Sequence, residues 1–236
     1  MTKAMAITRI GIVQTMGDPL YLVFTLGMPV LMTWIMSFLP KEMAGLASGG
    51  VIVMFLGLNI MMSASSVIEE RQNGTWARLL SAPVTRAQVL AGYLGKILVG
   101  AWVQSAILLL GGRYLFRVPW SHFSGSVLVV LAAYILAMSG IGVLLATVLR
   151  NQQQVPAVAS GIATVGTMLS GVFFPTNGNK VMEFVSKISP QGWAARGLNA
   201  VMSEGAGFSA VREPVIWMFA LGLIFLAVGM TRVKYE

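Results

Sequence analysis

The chain has 236 residues, sixteen basic and eight acidic, for a formal net charge of +8. Only 10% of residues are charged and 56% are hydrophobic, against about 25% charged in a soluble domain. That balance excludes a disordered chain and an ordinary soluble globule, and it directs the apolar excess into a bilayer. Spanning helices need roughly 20 apolar residues each. There is no cysteine, so there is no disulfide framework, thiol nucleophile or thiolate metal site. The single histidine, His122, does not build a metal site and reads as an interfacial polar residue. Basic residues are scattered between apolar runs without interleaved aromatics, which argues against a nucleic-acid partner and for membrane flanks.

In chain order, residues 1–17 come first. Met5, Ala6, Ile10, Ile12, Val13 and Met16 share one side of a helical wheel, interrupted by Thr2 and Arg9, and predict an interfacial helix. Asp18-Pro19 offers an N-cap followed by proline in the first turn. Six nearly uncharged runs follow, at 20–39, 46–67, 97–112, 123–149, 155–174 and 214–231, and each reads as a transmembrane helix. A barrel would need alternating polarity, which these runs lack. The first run is longer than a signal-peptide core, so it reads as a span. Pro29 predicts a kink within it, while Pro156 and Pro214 read as span entrances.

An even number of spans puts both ends of the chain on one side. Nine basic residues against seven favour the cytoplasm for that side. Between the second and third runs, 68–96 holds more punctuation than a passive connector needs. Asn73-Gly74 signals a turn, Thr75 caps a short helix that Pro83 stops, and Thr85 with Gln88 makes a capping box for the next helix. Between the fifth and sixth runs, 175–213 predicts two short helices. Val181, Met182, Phe184, Val185 and Ile188 form the apolar side of the first, Ser189-Pro190 breaks it, and the second runs from Trp193 to Met202.

Glu70-Arg71, Asn73-Gly74-Thr75 and the run from Arg78 through Ser81-Ala82-Pro83 to Arg86 closely resemble the cytoplasmic loop of ABC type-2 exporter permeases. Ser170 to Pro175, then Ile188-Ser189-Pro190 and Trp193-Ala194, resemble that family's outer re-entrant segment. Arg150 to Gln154 is similar to its short second cytoplasmic turn. The segment around Pro40 to Gly45 is short, whereas larger members carry an extracellular domain there.

The resemblance implies an all-α membrane protein. Its single transmembrane domain, 1–236, has six spans, an N-terminal interfacial helix, a cytoplasmic coupling helix in 68–96 and short outer re-entrant helices in 175–213. It implies a plasma-membrane, multi-pass permease subunit of an ABC exporter with both termini cytoplasmic. The pathway then lies between two permease copies, lined largely by spans two and five. Glu69, Glu70, Arg71, Gly74, Thr75, Arg78, Pro83 and Arg150 form the expected contact with an ABC ATPase subunit. Asn59, Ser63, Thr164 and Thr167 are candidate pathway residues, with interhelical hydrogen bonding as the alternative role.

No phosphate-binding G-x-x-x-x-G-K-[ST] loop occurs; Gly92-Tyr93-Leu94-Gly95-Lys96 has the wrong spacing. ATP and Mg are therefore expected on a partner ATPase, with no cofactor or metal held here and no enzymatic constellation. The other partners expected are a second permease and membrane lipid. All eight acids lie outside the apolar runs, which counts against the alternative of a secondary transporter or channel uncoupled from ATP. The apolar and small polar lining points to a drug-like, peptide-antibiotic or lipid-like cargo.

Overall fold

The computed structural model describes residues 3–63, 85–120, 122, 124–149, 151, 153–173 and 179–232. Among these residues the chain is helical, without strands. Helix α1 (Lys3–Met16) leads into α2 (Pro19–Met36), α3 (Lys41–Ser63) and α4 (Arg86–Leu110). Then come α5 (Gly125–Val148), α6 (Gln154–Leu169), α7 (Lys180–Ile188), α8 (Pro190–Met202) and α9 (Phe208–Arg232). The chain is an all-α, multi-pass membrane protein.

Among the described residues five helices are long and apolar enough to cross a bilayer: α2, α3, α4, α5 and α9. The fifth expected span differs. Its helix ends at Leu169, and the chain turns through Ser170 and Gly171, whose φ of 80° suits glycine. At 1.5 Å per residue α6 is roughly 24 Å long, short of the ~30 Å hydrocarbon core. Pro214 is a correction to the reading above. It lies inside α9 rather than at its entrance, because the helix already starts at Phe208.

The helix starts are set by short polar side chains. Asp18 accepts hydrogen bonds from the backbone N–H groups of Leu20 and Tyr21. The Thr85–Gln88 capping box forms in both directions, at 3.1 and 3.3 Å. Ser189 accepts from Gly192 N–H, so Ser189-Pro190 ends α7 and starts α8 in one step.

Helix α3 sits at the centre, against α2, α4, α5, α6 and α8. Its Ile52, Leu56, Ile60 and Met61 meet Leu131, Tyr134, Ile135 and Met138 of α5 in one buried cluster. Inside lipid the hydrophobic effect does not pull helices together, so close backbone approach must do so. Glycines supply it where α5 meets α9, the most extensive helix pair of the fold.

Glycines also seat α1 on α4. A β-carbon on Gly92 would fall 2.7 Å from Ile7, and one on Gly95 would fall 2.5 Å from the Thr8 hydroxyl. Thr8 Oγ1 donates to the Gly92 carbonyl at 2.9 Å. The Gly92-x-x-Gly95 pair is therefore a helix-packing groove. The opposite side of α1 exposes Met5, Ile10, Val13 and Met16, an apolar stripe suited to lipid. Replacing Gly95 by leucine is expected to lift α1 off α4. A cysteine placed at Thr8, otherwise covered, should then react several-fold faster with maleimide. An unchanged rate would show that the groove does not hold the helix.

Helix α7 turns its apolar edge outward. Val181, Phe184 and Ile188 are exposed, while Ser186 is buried against α8. Arg196 of α8 donates to the Ser186 carbonyl at 2.8 Å and to its hydroxyl at 2.6 Å. Its guanidinium stacks over the Trp193 ring at 4.5 Å. Burial lowers the Arg196 pKa from its ordinary value, and the Glu213 charge acts in the other direction.

Candidate functional site

Pro29 has no backbone N–H, so the carbonyl four residues earlier, on Thr25, loses its usual helical partner. The expected disturbance of α2 takes the form of a wide, π-type turn over Val23–Gly27. The Thr25 carbonyl is satisfied from another helix: Gln104 Nε2 of α4 donates to it at 2.8 Å. Gln104 Oε1 in turn accepts from Asn59 Nδ2 of α3 at 2.9 Å. Asn59 Oδ1 accepts from the Tyr21 hydroxyl of α2 at 2.7 Å. Ser63 donates back to the Asn59 carbonyl at 2.9 Å. A continuous polar chain thus ties α2, α3 and α4 together inside apolar surroundings, where each bond replaces an otherwise unsatisfied group.

Two cavities flank this chain, and Tyr21, Thr25 and Asn59 line both. The smaller, of about 90 Å³, lies towards α1. Thr15, Leu22, Leu26, Ser63 and Lys96 are among its walls. The larger is a cleft of about 500 Å³ between α2, α3 and α6. Phe24, Phe55, Leu58 and Met62 give it apolar walls, Pro156, Ala157 and Ser160 close it from α6, and Gln104 reaches it from α4. No charged side chain is among the described residues that line the cleft.

A second wide turn, Gly161–Val165, interrupts α6 just past the cleft. There too a glutamine from a neighbouring helix answers a carbonyl, with Gln191 Nε2 donating to Ile162 at 3.3 Å. Two of the helices that border the cleft therefore carry the same device.

The structure brings Asn59 and Ser63 to this site, Asn59 between the cavities and Ser63 on the smaller one. Thr164 is exposed on α6. Thr167 is fully buried, and its hydroxyl has no hydrogen-bond partner among the described residues. Neither threonine lines the two cavities. Glu69, Glu70, Arg71, Gly74, Thr75, Arg78, Pro83 and Arg150 lie outside the described residues. His122 is exposed, and its backbone N–H donates to the Met202 carbonyl.

Sequence reasoning missed Tyr21, Thr25 and Gln104. The signal was present. Gln104 is the one amide side chain in the apolar run 97–112, and a proline inside a span leaves a carbonyl that some donor must answer.

The comparisons with known proteins agree with this architecture. Residues 2–203 match the family model for the ABC-2 type transporter. The linearmycin resistance permease protein LnrN of Bacillus subtilis (strain 168) is 31% identical over 188 residues, covering 79% of this chain and 49% of that protein. The probable multidrug ABC transporter permease YbhR of Escherichia coli (strain K12) is 30% identical over 105 residues, covering 44% and 28%. The inner membrane transport permease YhhJ of the same organism is 23% identical over 191 residues, covering 79% and 51%. The chain thus spans about half the length of the curated relatives it matches most fully.

Proposed function

The chain belongs to the ABC-2 type transporter family, and from that premise we propose that it is the permease subunit of an ATP-driven exporter. It is a non-catalytic subunit of the plasma membrane with both ends in the cytoplasm. Family members work in general with an ABC ATPase and as paired permeases. Here the ATPase docks on 68–96, through Glu70, Arg71 and their neighbours, and supplies the ATP and Mg chemistry. The second permease, an identical copy or a relative, completes the passage.

The observation that carries this reading is the cleft between α2, α3 and α6, with the polar chain at its wall. The docking segment joins α3 to α4, and those two helices hold the Asn59–Gln104 hydrogen bond. A push on the segment tilts both helices and so reaches the cleft wall directly. The cleft's apolar lining supports a drug-like, peptide-antibiotic or lipid-like cargo. The relatives named for multidrug and linearmycin resistance support export of such a compound.

Co-expression with candidate phosphate-loop ATPases, followed by purification through a tag on this chain, tests the reading. A stable complex is expected, and the double reversal Glu70→Arg, Arg71→Glu should abolish it while leaving the chain in the membrane. Cargo transport by the purified chain alone, without ATP, would overturn the reading in favour of an uncoupled carrier or channel.

A further inference from the structure

We propose that the cleft recognises an uncharged amphiphile through a hydrogen-bond-accepting oxygen of carbonyl, ester or ether type, with Asn59 and Gln104 as the residues that read it. The inference deepens the permease reading and rests on it for the role of the ligand as cargo. Each of the two amides carries two N–H donors and one carbonyl. In the polar chain both carbonyls accept, from Tyr21 and from Asn59, and one N–H of each amide donates, to Gln104 and to the Thr25 carbonyl. One N–H on each amide is left unengaged among the described residues. Both residues are buried, Gln104 completely and Asn59 to 8% exposure, and both line the cleft.

A buried N–H without an acceptor is a standing cost, removed when a ligand oxygen enters. The polar wall therefore offers two buried N–H groups that only an added acceptor can complete, whereas each amide carbonyl already accepts one bond. The Ser160 hydroxyl on the facing helix already donates to the Ala157 carbonyl. The rest of the lining is aromatic and aliphatic, from Phe24, Phe55, Leu58 and Met62, and holds an apolar chain. With no charged side chain among the described residues of the lining, an ionised ligand finds no counter-charge there for its desolvation. These features select an uncharged acceptor over both a plain hydrocarbon and an anion.

The test uses the intact purified chain in lipid nanodiscs and three photoreactive probes with the same ten-carbon diazirine chain: a methyl ester, a hydrocarbon and a carboxylate. Adducts are mapped by mass spectrometry. The ester should mark Phe24, Phe55 and Met62 more strongly than either other probe. Gln104→Leu removes one of the two donors and should lower the ester yield about fivefold, the loss expected for one neutral hydrogen bond. The ester yield is read against the hydrocarbon yield of the same variant, which cancels any change in the shape of the cleft. Ser160 is exposed, so Ser160→Trp fills the cleft without disturbing the core and should remove all three sets of adducts. Equal ester and hydrocarbon labelling in the native chain would overturn the proposal. So would an ester-to-hydrocarbon ratio unchanged by Gln104→Leu, or labelling by the carboxylate as strong as by the ester. The assay contains no ATPase, so an ester preference in a chain that binds no ATPase sinks the exporter reading alone. ATPase binding without that preference sinks only this one.

Discussion

Leucine in place of Gly222 is expected to remove folded chain from membrane extracts. Gly222 of α9 lies against the backbone of α5: a β-carbon there would fall 2.9 Å from the Ala137 nitrogen and from the Leu136 carbonyl. The contact is reciprocal, since a β-carbon on Gly140 would fall 2.6 Å from the Gly222 carbonyl oxygen. Backbone atoms of a helix cannot rotate aside as a side-chain tip can, so the helices must separate. Overpacking a well-filled interior costs about 1–3 kcal/mol and occasionally more. The upper end applies here, because α5–α9 is the most extensive helix pair and separation loses dispersion contacts along its length. Monodisperse yield on size exclusion and thermal unfolding of the purified chain check this, with Gly222→Ala as the milder step. A leucine variant with native yield and melting temperature would show that the two helices do not need their close approach.

Trp120→Ala is expected to be at least as damaging, by about 3–5 kcal/mol. Trp120 lies in the connection between α4 and α5, yet it is only 4% exposed. Its ring packs where a β-carbon on Gly112 would fall, at 2.6 Å, and its indole N–H donates to the Gly45 carbonyl at 3.2 Å. One side chain thus fastens a connecting segment to the start of α3. Arg117, three residues earlier, has a φ of 51°, a left-handed conformation that a non-glycine residue holds only where its surroundings fix it. Trp120→Phe keeps an aromatic ring but loses the hydrogen bond and part of the indole volume, so it should cost about 1–3 kcal/mol, less than alanine. Comparable melting temperatures for the alanine and phenylalanine variants would show that the ring does not anchor the segment.

The helices were legible in the sequence because a bilayer imposes one rule on every residue it touches: apolar runs of spanning length mark themselves. Caps were legible because they are local, as Asp18, Thr85 with Gln88, and Ser189 show. The site was only partly legible. Asn59 stood out as an amide in an apolar run, but its partners Tyr21 and Gln104 come from other helices. Which residues face one another across a helix pair depends on rotation about each axis. Hydropathy does not record that rotation in helices apolar on every side. The same limit explains α7, whose apolar edge was identified but whose outward orientation depends on how Arg196 grips Ser186 from the next helix. It also explains Thr164 and Thr167, three residues apart on α6 yet one exposed and one buried, because the wide turn at Gly161–Val165 alters the helical register between them and the cleft.

The seating of α1 on the glycines of α4 has a mechanical consequence. On the proposed docking of an ATPase to 68–96, which takes in the first turns of α4, α1 rides on the same lever. Any tilt of α4 must sweep the stripe of Met5, Ile10, Val13 and Met16 through the surrounding lipid. In the proposed permease the lipid around α1 then acts as a damper on that motion, and its stiffness sets part of the work of each cycle.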